Sequence, residues 1–158
     1  MPDSVLGSFQ AVIGTPAFSL GIRCSDEAIT EVRYLEPELM DRVAHPLAGE
    51  AARQIKAYLT DPHFVFDLPL AASGTEFQRR VWSALKDIAS GETRTYGELA
   101  RALGTAPRAV GQACGANPCP VIVPCHRVTA THGIGGFAHQ RGGYMLDVKR
   151  WLLAHERH

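Results

Sequence analysis

The sequence contains no apolar run long enough to span a bilayer, and Met1-Pro2-Asp3-Ser4 lacks a basic start leading into an apolar stretch. Both absences predict a protein without a membrane partner, located in the cytoplasm. Cysteine is scarce. Of the four (Cys24, Cys114, Cys119, Cys125), three fall within twelve residues, which argues against a secreted disulfide frame and leaves reduced thiols for chemistry or metal. No internal repeat or low-complexity tract is present. Net charge is also missing, since sixteen Lys and Arg balance sixteen Asp and Glu. The balance conceals an asymmetry: residues 1–70 hold five bases against ten acids, and residues 71–158 hold eleven against six. An acidic half joined to a basic half predicts polyanion contact by the second half alone, with modest salt dependence because few phosphates are neutralised.

What is present, 158 residues with 46% hydrophobic and 20% charged, suffices to bury a core without metal or disulfide staples. Segments 9–13, 18–22 and 29–34 are short, partly alternating and separated by Gly14-Thr15-Pro16 and Ser25-Asp26-Glu27, which predicts a strand meander. From Leu47 to Leu59 the residues Leu47, Ala51, Ile55, Tyr58 and Leu59 share one helical face, and Asp61-Pro62 stops the run. Residues 67–74 read as a connector. Beyond it the chain turns helical: Thr75-Glu76-Phe77-Gln78 has capping-box form, and Phe77, Val81, Leu85 and Ile88 continue an apolar face up to Gly91. A second box, Thr95-Tyr96-Gly97-Glu98, opens a short helix broken by Gly104, and Pro107 suits the first turn of a helix over 106–115. Two short helices around a Gly-containing turn have a helix-turn-helix outline, which many helical proteins without a DNA role share. The apolar segment 119–124, bounded by prolines, reads as a buried extended piece delivering Cys125-His126-Arg127. A glycine-rich loop and a final helix over 147–155, with Val148, Trp151 and Leu152 inward, complete the chain.

Cys125 is the residue on which chemistry could centre. A cysteine nucleophile needs help to lose its proton at neutral pH, and His126 stands next to it, within reach through a bridging water. The competing reading is a buried small hydrophobe, which is what most unpaired cysteines are. Zinc on Cys114, Cys119, Cys125 and His126 is disfavoured because structural zinc sites use tighter pairs; Cys114, beside Val110, reads as core. In the helix 106–115, Ala109, Gly111, Ala113 and Gly115 are small and Arg108 is the one long cation. Such a face suits close approach to a partner, either another helix of the protein or a minor groove pressed shallowly.

Pro124-Cys125-His126-Arg127-Val128 resembles the active-site signature of the O6-alkylguanine-DNA alkyltransferases, also called methylated-DNA–protein-cysteine methyltransferases. Gly74-Thr75-x-Phe77-Gln78, Val81-Trp82-x-Ala84-Leu85, Thr95-Tyr96-Gly97-Glu98-Leu99-Ala100, Arg108-Ala109-Val110-Gly111, Asn117-Pro118 and Lys149-x-Trp151-Leu152-Leu153-x-x-Glu156 follow in the family's order. The resemblance is close over 74–156 and loose before it.

It implies an α/β amino-terminal domain, ribonuclease-H-like, over 1–70, and a mainly helical, winged-helix-like carboxy-terminal domain with a helix-turn-helix over 71–158. It implies stoichiometric, irreversible transfer of an alkyl group from O6-alkylguanine, and from O4-alkylthymine, in double-stranded DNA to Cys125. No cofactor and no metal are expected, and the protein is expected to be a monomer. By the same resemblance His126 draws the thiol proton through water, Glu156 orients the imidazole, Tyr96 donates to guanine N3, Asn117 braces the cysteine region, and Arg108 fills the space left by a flipped nucleotide. Ala109, Gly111, Gln112 and Gly115 complete the DNA face. Pro124, Val128, Gly136, Phe137 and Ala138 line the alkyl pocket.

The loop departs from the pattern: Phe137 stands where the family usually has tyrosine, and residues 139–143 lengthen the segment by about five. Two other classes compete. A non-enzymatic reader of alkylguanine would lack the cysteine, and a transcriptional thiol sensor would carry more bases on its second helix than Arg108.

Overall fold

A computed structural model describes residues 9–37, 41–135 and 144–157. The chain divides into two compact units, Met1–Ala72 and Ser73–His158.

The first unit is an antiparallel sheet in the order β3-β2-β1-β4, built from β1 (Ala11–Gly14), β2 (Ser19–Cys24), β3 (Ile29–Leu35) and β4 (Arg42–Val43). The meander is as the alternation predicts. Thr15 makes the first turn tight: its Oγ1 accepts from the amides of Ala17 and Phe18, and its own N–H donates to the Phe18 carbonyl. The two-residue β4 has too short a pattern to be seen in the sequence; it pairs with β1 through Ala11 and Val12. Helix α1 (Pro46–Thr60) packs on β1 and β2. Its buried face is Ala48, Ala51, Ala52, Ile55 and Tyr58, so the face lies slightly around from that expected, and Leu47 and Leu59 are only half-buried. Pro69 and Ala71 then bond to Ile29, tying the end of this unit to the start of β3.

The second unit holds α2 (Glu76–Lys86), α3 (Tyr96–Leu103), α4 (Pro107–Gly115) and α5 (Tyr144–His155). Both capping boxes form: Thr75 with Gln78, and Thr95 with Glu98, each exchanging two hydrogen bonds. Helix α2 ends at Lys86, one turn before Gly91, because the amide of Asp87 already folds back onto the Ala84 carbonyl and a looser turn takes over. Gly104, left-handed at φ 69°, closes α3, and Pro107 opens α4 without a side-chain cap. Trp82 Nε1 donates to the Ala113 carbonyl at 2.8 Å and locks α2 to α4. A minimal parallel pair, β5 (Arg94–Thr95) with β6 (Val128–Thr129), sets Tyr96, the first residue of α3, beside the Cys125 turn.

Segment 119–124 is buried as expected but not extended. Asn117 overrides the apolar pattern. Its Nδ2 donates to the Val123 carbonyl and its Oδ1 accepts from the Cys119 amide, while the Val123 amide bonds back to Cys119. The segment is thereby wound into a tight turn with Val121 at φ 74°, a conformation costing a β-branched residue about 1–3 kcal/mol.

Gly74 and Gly104 share a positive φ but differ in surroundings. A Cβ on Gly74 would lie 2.5 Å from the Trp82 ring, whereas one on Gly104 would meet nothing within 4 Å. Gly74→Ala should therefore cost more than Gly104→Ala, by about 1–3 kcal/mol from overpacking. Urea unfolding of the two variants measures the difference, and equal losses would contradict the packing described.

Candidate active site

The acceptor candidate lies in a single 3-10 turn, Cys125–Arg127, that follows Pro124. The Arg127 amide donates to the Pro124 carbonyl and the Val128 amide to Cys125, so the turn is fixed by its own backbone. Helices α2 and α5 pack against it. Cys125 is only 6% exposed. Burial pushes its thiol up to about 11, opposed by a hydrogen bond from the Asn117 side chain and by the positive charge of Lys149. At neutral pH Cys125 is a protonated thiol, and it needs a base to become a nucleophile.

That base candidate is its neighbour. His126 is fully buried, and its Nε2 lies 2.7 Å from Glu156 Oε2. Glu156 also receives Arg127, through Nε to Oε1 at 2.9 Å and Nη2 to Oε2 at 2.8 Å. Three N–H groups aimed at two oxygens suit a carboxylate, which accepts only, so the proton between His126 and Glu156 belongs on Nε2. In a neutral ring Nδ1 is then the bare acceptor. Nδ1 is buried and has no hydrogen-bond partner among the described residues. Burial holds the His126 pKa below the ordinary imidazole value; Glu156 opposes the shift, and the charges of Arg127 and Lys149 add to it. Neutral imidazole is therefore the resting form at pH 7.

Helix α5 supplies the rest. Lys149 and Leu152 lie on its inward face, and Glu156, one residue past its end, continues their spacing at i, i+3 and i+7. The Lys149 side chain is buried, and Nζ donates to the Val128 carbonyl at 2.7 Å and lies 5.8 Å from the centre of the Tyr96 ring. Desolvation brings its pKa down to about 8, with Cys125 and Cys114 pulling the other way. Tyr96 is half-buried. Its ring lies 3.8 Å from where a Gly111 Cβ would stand and 3.0 Å from that of Gly135. A Cβ at 111 would meet Tyr96 only in ordinary contact, so Tyr96 packs on this part of the small helical face, while the tighter approach is at Gly135.

On α4, Arg108 and Gln112 are exposed, Ala109 and Gly115 half-exposed, and Val110, Ala113 and Cys114 buried. The outward stripe is therefore Arg108, Gln112 and Gly115. Cys114 is core, as its place beside Val110 suggests, and burial pushes its thiol up to about 12, an ionised Cys125 adding to the shift and Lys149 opposing it. Pro124 and Val128 are buried around the turn. Gly136, Phe137 and Ala138 lie outside the described residues. Among the described residues no group of three or more His, Cys, Asp and Glu could hold a metal ion. No described helix is long and apolar enough to cross a membrane.

Two participants carry no role in the sequence reading. Arg127 stands in the Pro124–Val128 run, and Lys149 opens the run ending at Glu156. A lysine seven residues before a glutamate on an otherwise apolar helical face was the available signal.

The four free thiols differ in access, since Cys24 is partly exposed and the other three are buried. At pH 7 iodoacetamide should label Cys24 first. Labelling of Cys125 should rise about tenfold per pH unit toward pH 11, following its thiolate fraction. Peptide mapping reads both, and a Cys125 rate independent of pH would refute the protonated resting thiol.

Residues 76–158 match the family described as 6-O-methylguanine DNA methyltransferase, DNA binding domain. The methylated-DNA–protein-cysteine methyltransferase of Mycolicibacterium paratuberculosis is 41% identical over 153 residues, 92% of this chain and 90% of that protein. That of Methanosarcina acetivorans is 50% identical over 107 residues, 66% of this chain and 65% of the relative. Among solved structures, the Mycobacterium tuberculosis O6-methylguanine methyltransferase has a TM-score of 0.74 at 36% identity, covering 92% of this chain and 90% of that one. Mycobacterium tuberculosis OGT in complex with DNA has a TM-score of 0.75 at 37% identity, covering 92% and 91%. A family match over more than half the chain, together with relatives alike almost end to end, means that this chain belongs to the methylated-DNA–protein-cysteine methyltransferase family.

Proposed function

We propose that the protein repairs double-stranded DNA by moving the alkyl group of O6-alkylguanine, and of O4-alkylthymine, onto Cys125. The observation that carries this reading is the buried thiol next to a neutral imidazole whose Nε2 is committed to Glu156 and whose Nδ1 is free to accept. The sulfur attacks the alkyl carbon, an S–C bond forms and the C–O6 bond breaks. The thiol proton passes through a bridging water to Nδ1 of His126, and Glu156 holds the imidazole in the accepting tautomer. Tyr96 donates toward N3 of the departing guanine, so that the leaving group departs neutral. With the thiol pushed up and the imidazole pulled down, the thiolate forms during the transfer and not before it. The product is a thioether with no easy leaving step, so each molecule acts once.

The outward stripe of α4, Arg108, Gln112 and Gly115 with Ala109 beside it, is suited to the minor groove, with Arg108 entering the stack where the damaged nucleotide has turned out. Helices α3 and α4 serve as the helix-turn-helix. Asn117 keeps the turn before Cys125 wound, and Pro124 and Val128 line the alkyl pocket. In this reading the first 70 residues form a ribonuclease-H-like domain and residues 71–158 a winged-helix-like one. The protein acts as a cytoplasmic monomer without cofactor.

Incubation with a duplex containing O6-methylguanine should add about 14 Da at Cys125, the mass of one methylene, and Cys125→Ser should bind the duplex and gain nothing. Modification of the serine variant would sink the assignment. Glu156→Gln should slow transfer about 100-fold while leaving DNA affinity nearly unchanged, within the range general-base catalysis supplies. Arg108→Ala should slow transfer from a duplex lesion about tenfold more than from the same lesion in a single strand, because flipping costs a few kcal/mol only where the base is paired. Equal losses on both substrates would remove Arg108 from that role.

A further inference from the structure

Arg127 has no part in the proton path from Cys125 to His126, yet it takes more of Glu156 than the histidine does. Its Nε and Nη2 grip both carboxylate oxygens, and its Nη1 is anchored on the Ile88 carbonyl in the turn after α2. The guanidinium is 12% exposed and the Glu156 side chain 1%, so this pairing is scarcely diluted by water. We propose that Arg127 is a positioning residue that keeps a surplus proton off the Glu156–His126 pair and thereby keeps Nδ1 of His126 an acceptor. The inference rests on the reading of Cys125 as the alkyl acceptor.

With Glu156 ionised and His126 neutral, the pair holds one proton, on Nε2 facing the carboxylate, and Nδ1 is bare. A second proton has two places to go. On the imidazole it makes the ring cationic, with both nitrogens carrying hydrogen. On Glu156 it makes a carboxylic acid that donates to Nε2, and the neutral ring must then carry its hydrogen on Nδ1. Either way Nδ1 is occupied and the thiol proton has no destination. The pair therefore works only while it holds one proton, and what decides this is the surrounding charge.

Among the described residues, the charged groups that act on His126 besides Glu156 are Arg127, on the same turn, and Lys149, on α5. Lys149 bonds to the Val128 carbonyl. Arg127 is in direct contact with the carboxylate, bonded to both of its oxygens. It stabilises the ionised form of Glu156 and disfavours an imidazolium beside it. Its three-point hold also stops the carboxylate from rotating away from Nε2.

The test compares wild type, Arg127→Gln, which can still donate a hydrogen bond but has no charge, and Arg127→Lys, which keeps the charge without the fork. Two readouts are taken: the pH profile of single-turnover methyl transfer from an O6-methylguanine duplex, and the 15N spectrum of histidine-labelled protein, which distinguishes a bare from a protonated Nδ1. In Arg127→Gln the acid limb should move up by about 1–3 pH units, the span typical of removing an adjacent opposite charge, and Nδ1 should carry hydrogen at pH 7. Arg127→Lys should keep Nδ1 bare and the limb near its wild-type place. The proposal is overturned if Arg127→Gln loses rate equally at all pH with Nδ1 still bare, or if Nδ1 is protonated in folded Arg127→Lys at pH 7. The second criterion stands even where the glutamine variant does not fold. If wild type transfers no methyl group, the acceptor reading fails, while the nitrogen spectra still decide what Arg127 does to the pair.

Discussion

A carboxylate buried to 1% exposure is the constraint around which the second unit is arranged. Unpaired, Glu156 would cost several kcal/mol, and the fold meets that cost with two partners from a single 3-10 turn, His126 and Arg127. Glu156 sits just beyond α5, its amide bonded to Leu152, so this one side chain clips the last helix to the turn that presents Cys125. Arg127 extends the clip through Ile88 to the turn that follows α2. Gly91 at φ 88° lets the following turn approach the Glu156 carbonyl, where a Cβ would stand at 3.1 Å. The same contacts that make the buried charge tolerable also fix the imidazole beside the thiol, so stability and chemistry draw on one set of bonds.

Around this centre, burial does two different things to the titrating groups. It keeps Cys125 protonated and His126 neutral, which gives a resting site with little separated charge and a thiol that small reagents reach slowly. It also brings Lys149 down to about 8, leaving a cation, close to Cys125 and fixed to Val128, whose charge is sensitive to its surroundings. A sulfur that is inert until its partner is in place suits the single-turnover transfer proposed above. Premature alkylation by small electrophiles would consume it.

Much of this was legible in the sequence. Both capping boxes, the strand meander, the Gly104 break and the run around Cys125 are local signals, and local hydrogen bonds decide them. Long-range pairings were not legible. The two-residue β4 and the β5–β6 pair exist because tertiary partners are available, and no two-residue pattern announces them. Segment 119–124 looked extended because prolines and β-branched residues favour that form, but two side-chain bonds from Asn117 outweigh propensity and wind it up. At the site, Cys125, His126 and Glu156 came from motif order. Arg127 and Lys149 were in plain view, but their importance depends on burial, which a sequence shows only indirectly. The small face of α4 proved to be two surfaces, one receiving Tyr96 and one facing outward. The basic half seen in the charge count coincides with the unit that carries this outward face.

The central claim is that Cys125 receives the alkyl group and is not regenerated, and counting turnovers tests it most directly. A fixed quantity of protein is titrated with an excess of duplex bearing a radiolabelled O6-methylguanine, and methyl groups transferred to protein are counted to completion. The account predicts a plateau at one methyl group per molecule, with no label released to solvent. Continued loss of methyl groups from DNA beyond one per protein would contradict it, because a thioether on a buried sulfur offers no route back.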